Sequence, residues 1–189
     1  MKPAAIGVRM HSGWGALVAV SGDAAAPEIL ERKHIIVIDP AMPGAKQPYH
    51  FAESMALPAA EKHIANCATT SARLASAAVD EVLSDLRERH YRVAGCALLL
   101  ASGRALPSLP AILASHALIH TAEGEFFRNI MRDAFEKLGV RVAGVRERDL
   151  APDAMKRISA LGRSVGPPWT ADEKAATLAA LILLGQRVS

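Results

Sequence analysis

The most chemically suggestive stretch of the sequence is SHALIHTAEGE, at positions 115–125. If it is helical throughout, His116, His120 and Glu123 lie at i, i+4 and i+7 and share one helix face. Two imidazoles and a carboxylate on one face could hold Zn²⁺ or Fe²⁺, or could act as a base and an acid without metal. A helix that begins at Thr121 would instead remove the shared face, because threonine is a good N-cap and two acidic residues follow it. Both interpretations stay open on sequence alone.

A second group of polar residues surrounds the first tight turn. Residues 12–15 read Ser-Gly-Trp-Gly, and two glycines so close together between β-like runs indicate a hairpin turn. The backbone N–H groups of such a turn, with a guanidinium beside them, could cradle an anion. The alternative is an ordinary hairpin with an exposed tryptophan. The candidate ligand-binding residues in this region are Arg9, His11, Ser12 and Gly13.

Two further loops follow apolar runs that should be buried strands. Ser102, Gly103 and Arg104 come after the run at 93–101, and a charged stretch at 146–149, Arg-Glu-Arg-Asp, comes after the run at 140–145. Open α/β sheets place their sites at the carboxyl ends of strands. We therefore expect these loops and the 115–125 segment to converge on one pocket. The alternative for the charged stretch is a solvated loop whose charges compensate one another.

The elements that position these residues are predicted from patterning. Apolar runs with short turns predict an antiparallel three-strand meander. Apolar residues spaced by three and four predict helices, and a continuous apolar run predicts a strand buried on both faces. A Thr170–Glu173 capping box opens the last helix. The predicted ranges are 4–11, 15–20 and 28–39 for the meander, 93–101 and 140–145 for later strands, and 58–90, 110–138 and 170–185 for helices.

This β-β-β-α-β-α-β order resembles the ribonuclease H-like fold. That fold is shared by ribonuclease H, Holliday-junction resolvases and retroviral-type integrases, and in duplicated form by sugar kinases and actin. The resemblance implies an α/β fold with a mixed sheet, in which the meander leads into α-β crossovers and helices cover the faces. We expect one such domain over residues 1–189. The alternative is another α+β sandwich with the same meander.

The resemblance also implies where metal-binding acids would lie. Nucleases of that superfamily resemble one another in holding two Mg²⁺ ions with acids on the first strand, near the end of the fourth strand or on the first helix, and near the start of a late helix. Here Arg9 stands at the first position, and residues 102–104 offer no acid at the second. Only Asp172, within TADEKAATLAA, resembles the third, and it could equally be an acid in a capped first turn. A working two-metal nuclease is therefore not expected.

Composition narrows the partners and the compartment. The 22 Lys and Arg exceed the 19 Asp and Glu by three, without a basic tract, and aromatic residues are only 4% of the 189. Neither a strongly basic stripe nor a base-stacking surface is expected. Cys67 and Cys96 form no C-x-x-C pair, and no apolar run is long enough to span a bilayer, so a reduced, cytoplasmic protein is the expectation.

The sequence supports three functional hypotheses. The first is a ribonuclease H-like domain that lacks most metal-binding acids and binds a nucleotide or nucleic acid through phosphate, with Arg9, Ser102 and Arg104 as donors. The second is a small hydrolase or lyase, with or without metal, built on the histidines and glutamate of segment 115–125. The third is a non-catalytic homodimeric module, in which the apolar late helix would form core or interface. No cofactor is assigned.

Overall fold

The computed structural model of the chain describes residues 1–23, 26–101 and 105–185. The predicted donors Ser102, Gly103 and Arg104 lie outside the described residues. The described strands are β1 Lys2–His11, β2 Trp14–Gly22, β3 Pro27–Ile36, β4 Tyr91–Leu100 and β5 Val142–Arg146. The described α-helices are α1 Pro48–Ala52, α2 Leu57–Glu88, α3 Leu109–Leu113, α4 His116–Lys137, α5 Pro152–Ala160, α6 Gly162–Val165 and α7 Ala171–Gly185, with a 3₁₀ turn at Glu147–Asp149.

The five strands form one mixed sheet in the order β3-β2-β1-β4-β5. Strand β2 pairs antiparallel with both β1 and β3, which is the predicted meander. Strand β4 pairs parallel with β1 and with β5, as α-β crossovers require. Because β1, β4 and β5 run in the same direction, they end at one edge of the sheet, called here the carboxyl edge.

Alternate residues of the central strands pack on opposite faces of the sheet. Ile6 and Val8 belong to a core that also contains residues of α2 and α4. Ala5 and Leu99 belong to a second core with α5 and α7. Each face is therefore covered by helices, and the predicted α/β fold class is confirmed.

Two predicted boundaries differ from the structure. The helix expected over 110–138 is divided into α3 and α4, because Ser115 between them has an extended backbone, with φ −139° and ψ 110°. The third strand ends at Ile36 rather than at 39, since Asp39 accepts the Ala41 N–H in a turn and Pro40 has no N–H to offer a neighbouring strand. The short helix α1 was not predicted.

The apolar side chains of the late helix serve the core of this chain. Leu178, Leu181 and Leu184 on α7 are all buried against the sheet and α5. They are therefore not an exposed interface for a second copy. Among the described residues, none of the helices combines the length and the hydropathy that crossing a membrane requires.

The sheet and α7 approach so closely that their backbones touch. Gly7, at the centre of β1, faces the backbone of Ala176, and a Cβ at Gly7 would overlap the Ala176 carbonyl oxygen. Gly7 pairs with Val18 on β2 and Ala97 on β4, so the contact lies in the middle of the sheet. Because Gly7 has no side chain, α7 can lie close against the sheet. The position of the start of α7 depends on this close approach.

We predict that Gly7→Ala lowers the free energy of unfolding by about 3 kcal/mol, at the upper end for overpacking, because the added methyl meets rigid backbone. Gly185→Ala is the matched control: nothing lies within 4 Å of its Cβ position, and a change within about 0.5 kcal/mol is expected. Urea denaturation followed by circular dichroism measures both. Equal stabilities for the two variants would contradict the account of α7 packing.

Candidate functional site

The guanidinium of Arg9 is held between two carboxylates at the carboxyl edge. Its Nε lies 3.0 Å from Glu147 Oε1, and its Nη2 donates to Glu147 Oε2 at 3.1 Å. Its Nη1 lies 2.8 Å from Asp172 Oδ1. This fork-shaped pairing is the geometry in which a guanidinium binds a carboxylate most strongly. Arg9, Glu147 and Asp172 are named the Arg9 cluster below.

Three separate elements bring the Arg9 cluster together. Arg9 lies two residues before the end of β1, Glu147 directly follows β5, and Asp172 lies in the first turn of α7. That turn is fixed by the predicted capping box: the Thr170 N–H donates to Glu173 Oε2 at 2.7 Å, and the Glu173 N–H donates to Thr170 Oγ1 at 3.2 Å. The parallel strands and the capped helix thus converge at one edge.

His11 extends this cluster toward the hairpin. Its Nε2 lies 3.1 Å from Asp172 Oδ1, and its ring stacks on Trp14 with centroids 4.3 Å apart. The other face of Trp14 stacks on His34 at 4.4 Å. The indole is therefore covered on both sides and is not a free platform for a nucleobase.

The turn residues Ser12 and Gly13 are explained by the hairpin itself. Gly13 has φ +83°, a conformation that glycine adopts without strain. Its carbonyl oxygen accepts the Val37 N–H at 3.0 Å. The anion cradle predicted at this turn remains a prediction, with no described contact that favours it over an ordinary turn.

In the Arg9 cluster a guanidinium lies between two acids, at the first-strand position where the resemblance to ribonuclease H-like nucleases implies a metal-binding acid. The charges of Arg9, Glu147 and Asp172 add to −1, and each carboxylate already has an oxygen committed to the guanidinium. A Mg²⁺ ion there would lie against a cation that does not deprotonate. Glu147 was missed as a partner of Arg9, because only the position of β5 in the sheet brings it there.

A cleft of about 390 Å³ adjoins the cluster, lined by Leu100, Ala101, Arg146, Glu147 and Arg148. Arg146 and Arg148 are exposed, and within the described part of the chain Arg146 has no ion pair. Arg148 Nε lies 3.9 Å from Asp149 Oδ1, a long contact between exposed groups that contributes little. Both guanidinium groups are therefore available to a ligand.

The predicted pair His116 and His120 lies in the first two turns of α4 and joins a different group of residues. Their Nε2 atoms are 3.1 Å apart. His50 of α1 completes the group: its ring centroid is 5.3 Å from that of His116 and 4.6 Å from that of His120. One ring nitrogen from each of the three lies within 4.8 Å of the others. This His50–His116–His120 group is called the histidine cluster.

Glu123 supports the histidine cluster and is not a member of it. It is 3% exposed, and its Oε1 accepts the backbone N–H groups of Tyr49 and His50 at 2.8 and 3.0 Å. The same oxygen lies 3.3 Å from His50 Nδ1. Glu123 therefore caps α1 from another helix. The shared helix face predicted for His116, His120 and Glu123 exists, since α4 begins at His116, but the third imidazole takes the place expected for the carboxylate.

Burial raises the pKa of Glu123, although the hydrogen bonds from His50 and Tyr49 act in the opposite direction. The pKa of the Tyr49 phenol is raised by burial and then by the charge of Glu123. His50 is not among the site residues that the sequence predicts. No local spacing could have identified it, because 66 residues separate it from His116.

Cys67 and Cys96 are both buried. Burial raises the pKa of the Cys67 thiol and that of the Cys96 thiol. Both are thiols and not thiolates near neutral pH, so neither is a ready nucleophile. The Arg9 cluster and the histidine cluster share no residue, so the single convergent pocket expected from the sequence is divided into two groups among the described residues.

No family model and no curated protein matches the sequence. The fold is similar to two solved structures from Thermus thermophilus. RuvC in complex with a Holliday junction substrate has a TM-score of 0.56 and 14% identity, covering 94% of this chain and 90% of that chain. A second RuvC structure has a TM-score of 0.53 and 14% identity, covering 94% and 91%. RuvC is a Holliday-junction resolvase of the ribonuclease H-like superfamily, and the predicted ribonuclease H-like fold is thus confirmed.

We predict that Arg9→Asp creates a Mg²⁺ site that the natural chain lacks. The variant would gather three carboxylates, the hard oxygen ligands that Mg²⁺ prefers, and their mutual repulsion would lower stability without metal. Mg²⁺ at about ten times its Kd would then raise the free energy of unfolding by about 1.4 kcal/mol.

Thermal unfolding with and without Mg²⁺ measures this effect, with Arg9→Ala as the control that removes the cation without adding an acid. The natural chain should show no Mg²⁺-dependent gain and Arg9→Ala a smaller one. The same Mg²⁺ response in all three chains would show that the Arg9 cluster is not a closed metal site.

Proposed function

We propose that this chain is a ribonuclease H-like nucleic-acid-binding domain that holds a phosphodiester backbone at its carboxyl edge without two-metal cleavage. The observation that carries the proposal is the guanidinium of Arg9, paired with Glu147 and Asp172 at the end of the first strand. The proposal has two parts, the lack of metal-dependent hydrolysis and the retention of binding.

Loss of hydrolysis follows from the charge arrangement. Two-metal hydrolysis needs carboxylates free to hold cations that stabilise both the attacking and the leaving oxygen. Here Glu147 is engaged through both oxygens and Asp172 through one, and the group between them is a fixed cation. Displacing Arg9 would leave a partly buried guanidinium without its partners, at a cost well above that of an exposed pair. The carboxylates are therefore not available to metal.

Retention of binding rests on the cleft beside the cluster. Arg146 and Arg148 are exposed at its rim, and a guanidinium matches phosphate oxygens in two-point geometry. Their position at the carboxyl edge is the usual site region in open α/β sheets. The likeness to RuvC, one of whose structures holds a Holliday junction substrate, supports branched DNA as the first probe.

The residues that the sequence predicts to bind a ligand have different roles in this proposal. Arg9 and Asp172 are paired with each other next to the cleft and do not line it, so in this proposal they do not bind phosphate themselves. Ser102 and Arg104 remain predicted donors and Gly103 a predicted ligand-binding residue, all three outside the described residues. The described lining of the cleft contributes two free guanidinium groups, so the expected dependence of log K on log salt has a slope of about −1.8.

No surface of the described residues is assigned to a homodimer. The late helix that could have supplied one packs on its own sheet, with Leu178 and Leu181 each 6% exposed. A dimer therefore stays a prediction, and the proposed binding does not require one.

We predict that the double variant Arg146→Ala/Arg148→Ala weakens binding of a fluorescently labelled four-way DNA junction about ten-fold or more. The salt slope should also fall by about one per lost contact. Fluorescence anisotropy in a chelating buffer measures both, because the proposed binding needs no metal. The matched control is Arg87→Ala, an exposed arginine at the end of α2 and so at the opposite edge of the sheet, which should bind like the natural chain.

Adding Mg²⁺ to the same complexes tests the other half of the proposal. Intact junction strands on a denaturing gel are expected for every variant. Mg²⁺-dependent cleavage by the natural chain would contradict the absence of nuclease activity. Equal affinity of the double variant and the natural chain would remove the arginine-lined cleft as the binding surface.

A further inference from the structure

We propose that His50, His116 and His120 bind a divalent transition-metal ion of the Zn²⁺ class, at a site separate from the Arg9 cluster. The three side chains come from α1 and from the start of α4, and one ring nitrogen of each lies within 4.8 Å of the others. The inference is independent of the proposed nucleic-acid binding, since it uses none of the residues of the arginine-lined cleft.

The distances are close to those that a metal ion would impose. Zn–N bonds of about 2.0–2.1 Å in a tetrahedral site put ligand nitrogens about 3.4 Å apart. The Nε2 atoms of His116 and His120 are already 3.1 Å apart. The rings stand edge to face, with interplanar angles of 82°, 66° and 83° among the three pairs. Small side-chain rotations would bring all three nitrogens to one ion.

The backbone framework makes this geometry reproducible. His116 and His120 are four residues apart on α4, so their side chains project from adjacent turns of the same face. Both are exposed and can rotate toward an ion without disturbing the core. His50 belongs to α1, whose backbone N–H groups are tied to α4 through Glu123.

Glu123 supplies the outer support that metal-binding histidines usually have. Its Oε1 lies 3.3 Å from His50 Nδ1, which leaves His50 Nε2 as the nitrogen for an ion. A carboxylate on the far nitrogen fixes both the ring orientation and the tautomer of a ligating imidazole. The other oxygen, Oε2, is buried and has no hydrogen-bond partner within the described ranges. Glu123 is thus a positioning residue for His50.

The ligand set decides the class of metal. Three imidazoles suit Zn²⁺, Cu²⁺ or Ni²⁺, whereas Mg²⁺, Ca²⁺ and Mn²⁺ prefer oxygen ligands. No thiolate or carboxylate belongs to the group. Three protein ligands leave one position of a tetrahedral ion for water, which is the arrangement of catalytic and not of structural zinc sites. This site would give the His-based hydrolase hypothesis its metal, with His50 in the place that Glu123 was expected to fill.

The competing explanation is a direct hydrogen bond between two neutral imidazoles. The distance of 3.1 Å between the Nε2 atoms of His116 and His120 fits an N–H···N hydrogen bond as well as the separation of two nitrogens bound to one metal ion. That explanation needs neither His50 nor its carboxylate support, and it predicts no stoichiometric metal binding.

The test uses the untagged full chain, stripped of metal with a chelator and titrated with Zn²⁺ in a calorimeter. One Zn²⁺ per chain is expected. His116→Ala and His120→Ala should each weaken binding by at least about 100-fold, the upper end of the effect of removing an outer-shell partner. Glu123→Gln should weaken it by about 10- to 100-fold while the stoichiometry stays at one. Co²⁺ should give the intense visible absorption of a tetrahedral site.

His34→Gln is the matched control, because it removes an exposed histidine from β3 and should leave Zn²⁺ affinity unchanged. Circular dichroism checks that each variant is folded, and His50→Gln provides an independent ligand deletion on the other helix. The absence of stoichiometric Zn²⁺ binding by the natural chain would overturn the proposal. So would folded His120→Ala and His50→Gln variants that bind Zn²⁺ as tightly as the natural chain.

Discussion

The contact between the backbones of Gly7 and Ala176 is the constraint on which the candidate site depends. A helix that rests on side chains keeps its axis about 10 Å from a sheet, whereas a glycine in the strand allows the helix to come closer. The alanines of α7 extend this close packing along the helix, with Ala176, Ala179 and Ala180 fully buried. Because α7 lies so low on β1, the acid in its first turn reaches a side chain near the end of that strand. The small alanine side chains of α7 therefore allow close packing on the sheet, and they also place Asp172 within reach of Arg9.

At the carboxyl edge, Arg9 supplies the positive charge that lies between two acids from separate elements. A cluster of acids without a cation is unstable, and either a metal ion or a guanidinium can supply the missing charge. A metal exchanges with solvent and can activate water, but a guanidinium is covalently attached and stays protonated. In the Arg9 cluster the positive charge between the two acids is therefore a fixed part of the chain. Removing one of the three side chains would leave a charged group of the cluster without its partner, which lowers the free energy of unfolding.

The sequence predicted what is local and missed what depends on tertiary packing. The three-strand meander, the long helix and the Thr170–Glu173 capping box follow from apolar runs with short turns, periodicity and cap chemistry, and all three are present. Arg9, His11 and Asp172 were identified from their places on elements, and the structure brings them together. Glu147 and His50 were not, because each reaches its partners only through the docking of a distant element. In the case of His50 that element is a one-turn helix held in place by a carboxylate 73 residues away, which no window along the chain can detect.

The stacked rings at the hairpin connect the meander to the last helix. Trp14 lies between two imidazoles, one of which, His11, also lies 3.1 Å from Asp172. The other tryptophan, Trp169, has the Arg32 guanidinium 6.0 Å from its ring centre instead. The stack around Trp14 therefore forms a continuous row of side chains from His34 on β3, through Trp14 and His11, to Asp172 on α7. The hairpin and the last helix are thus connected through side chains as well as through the sheet.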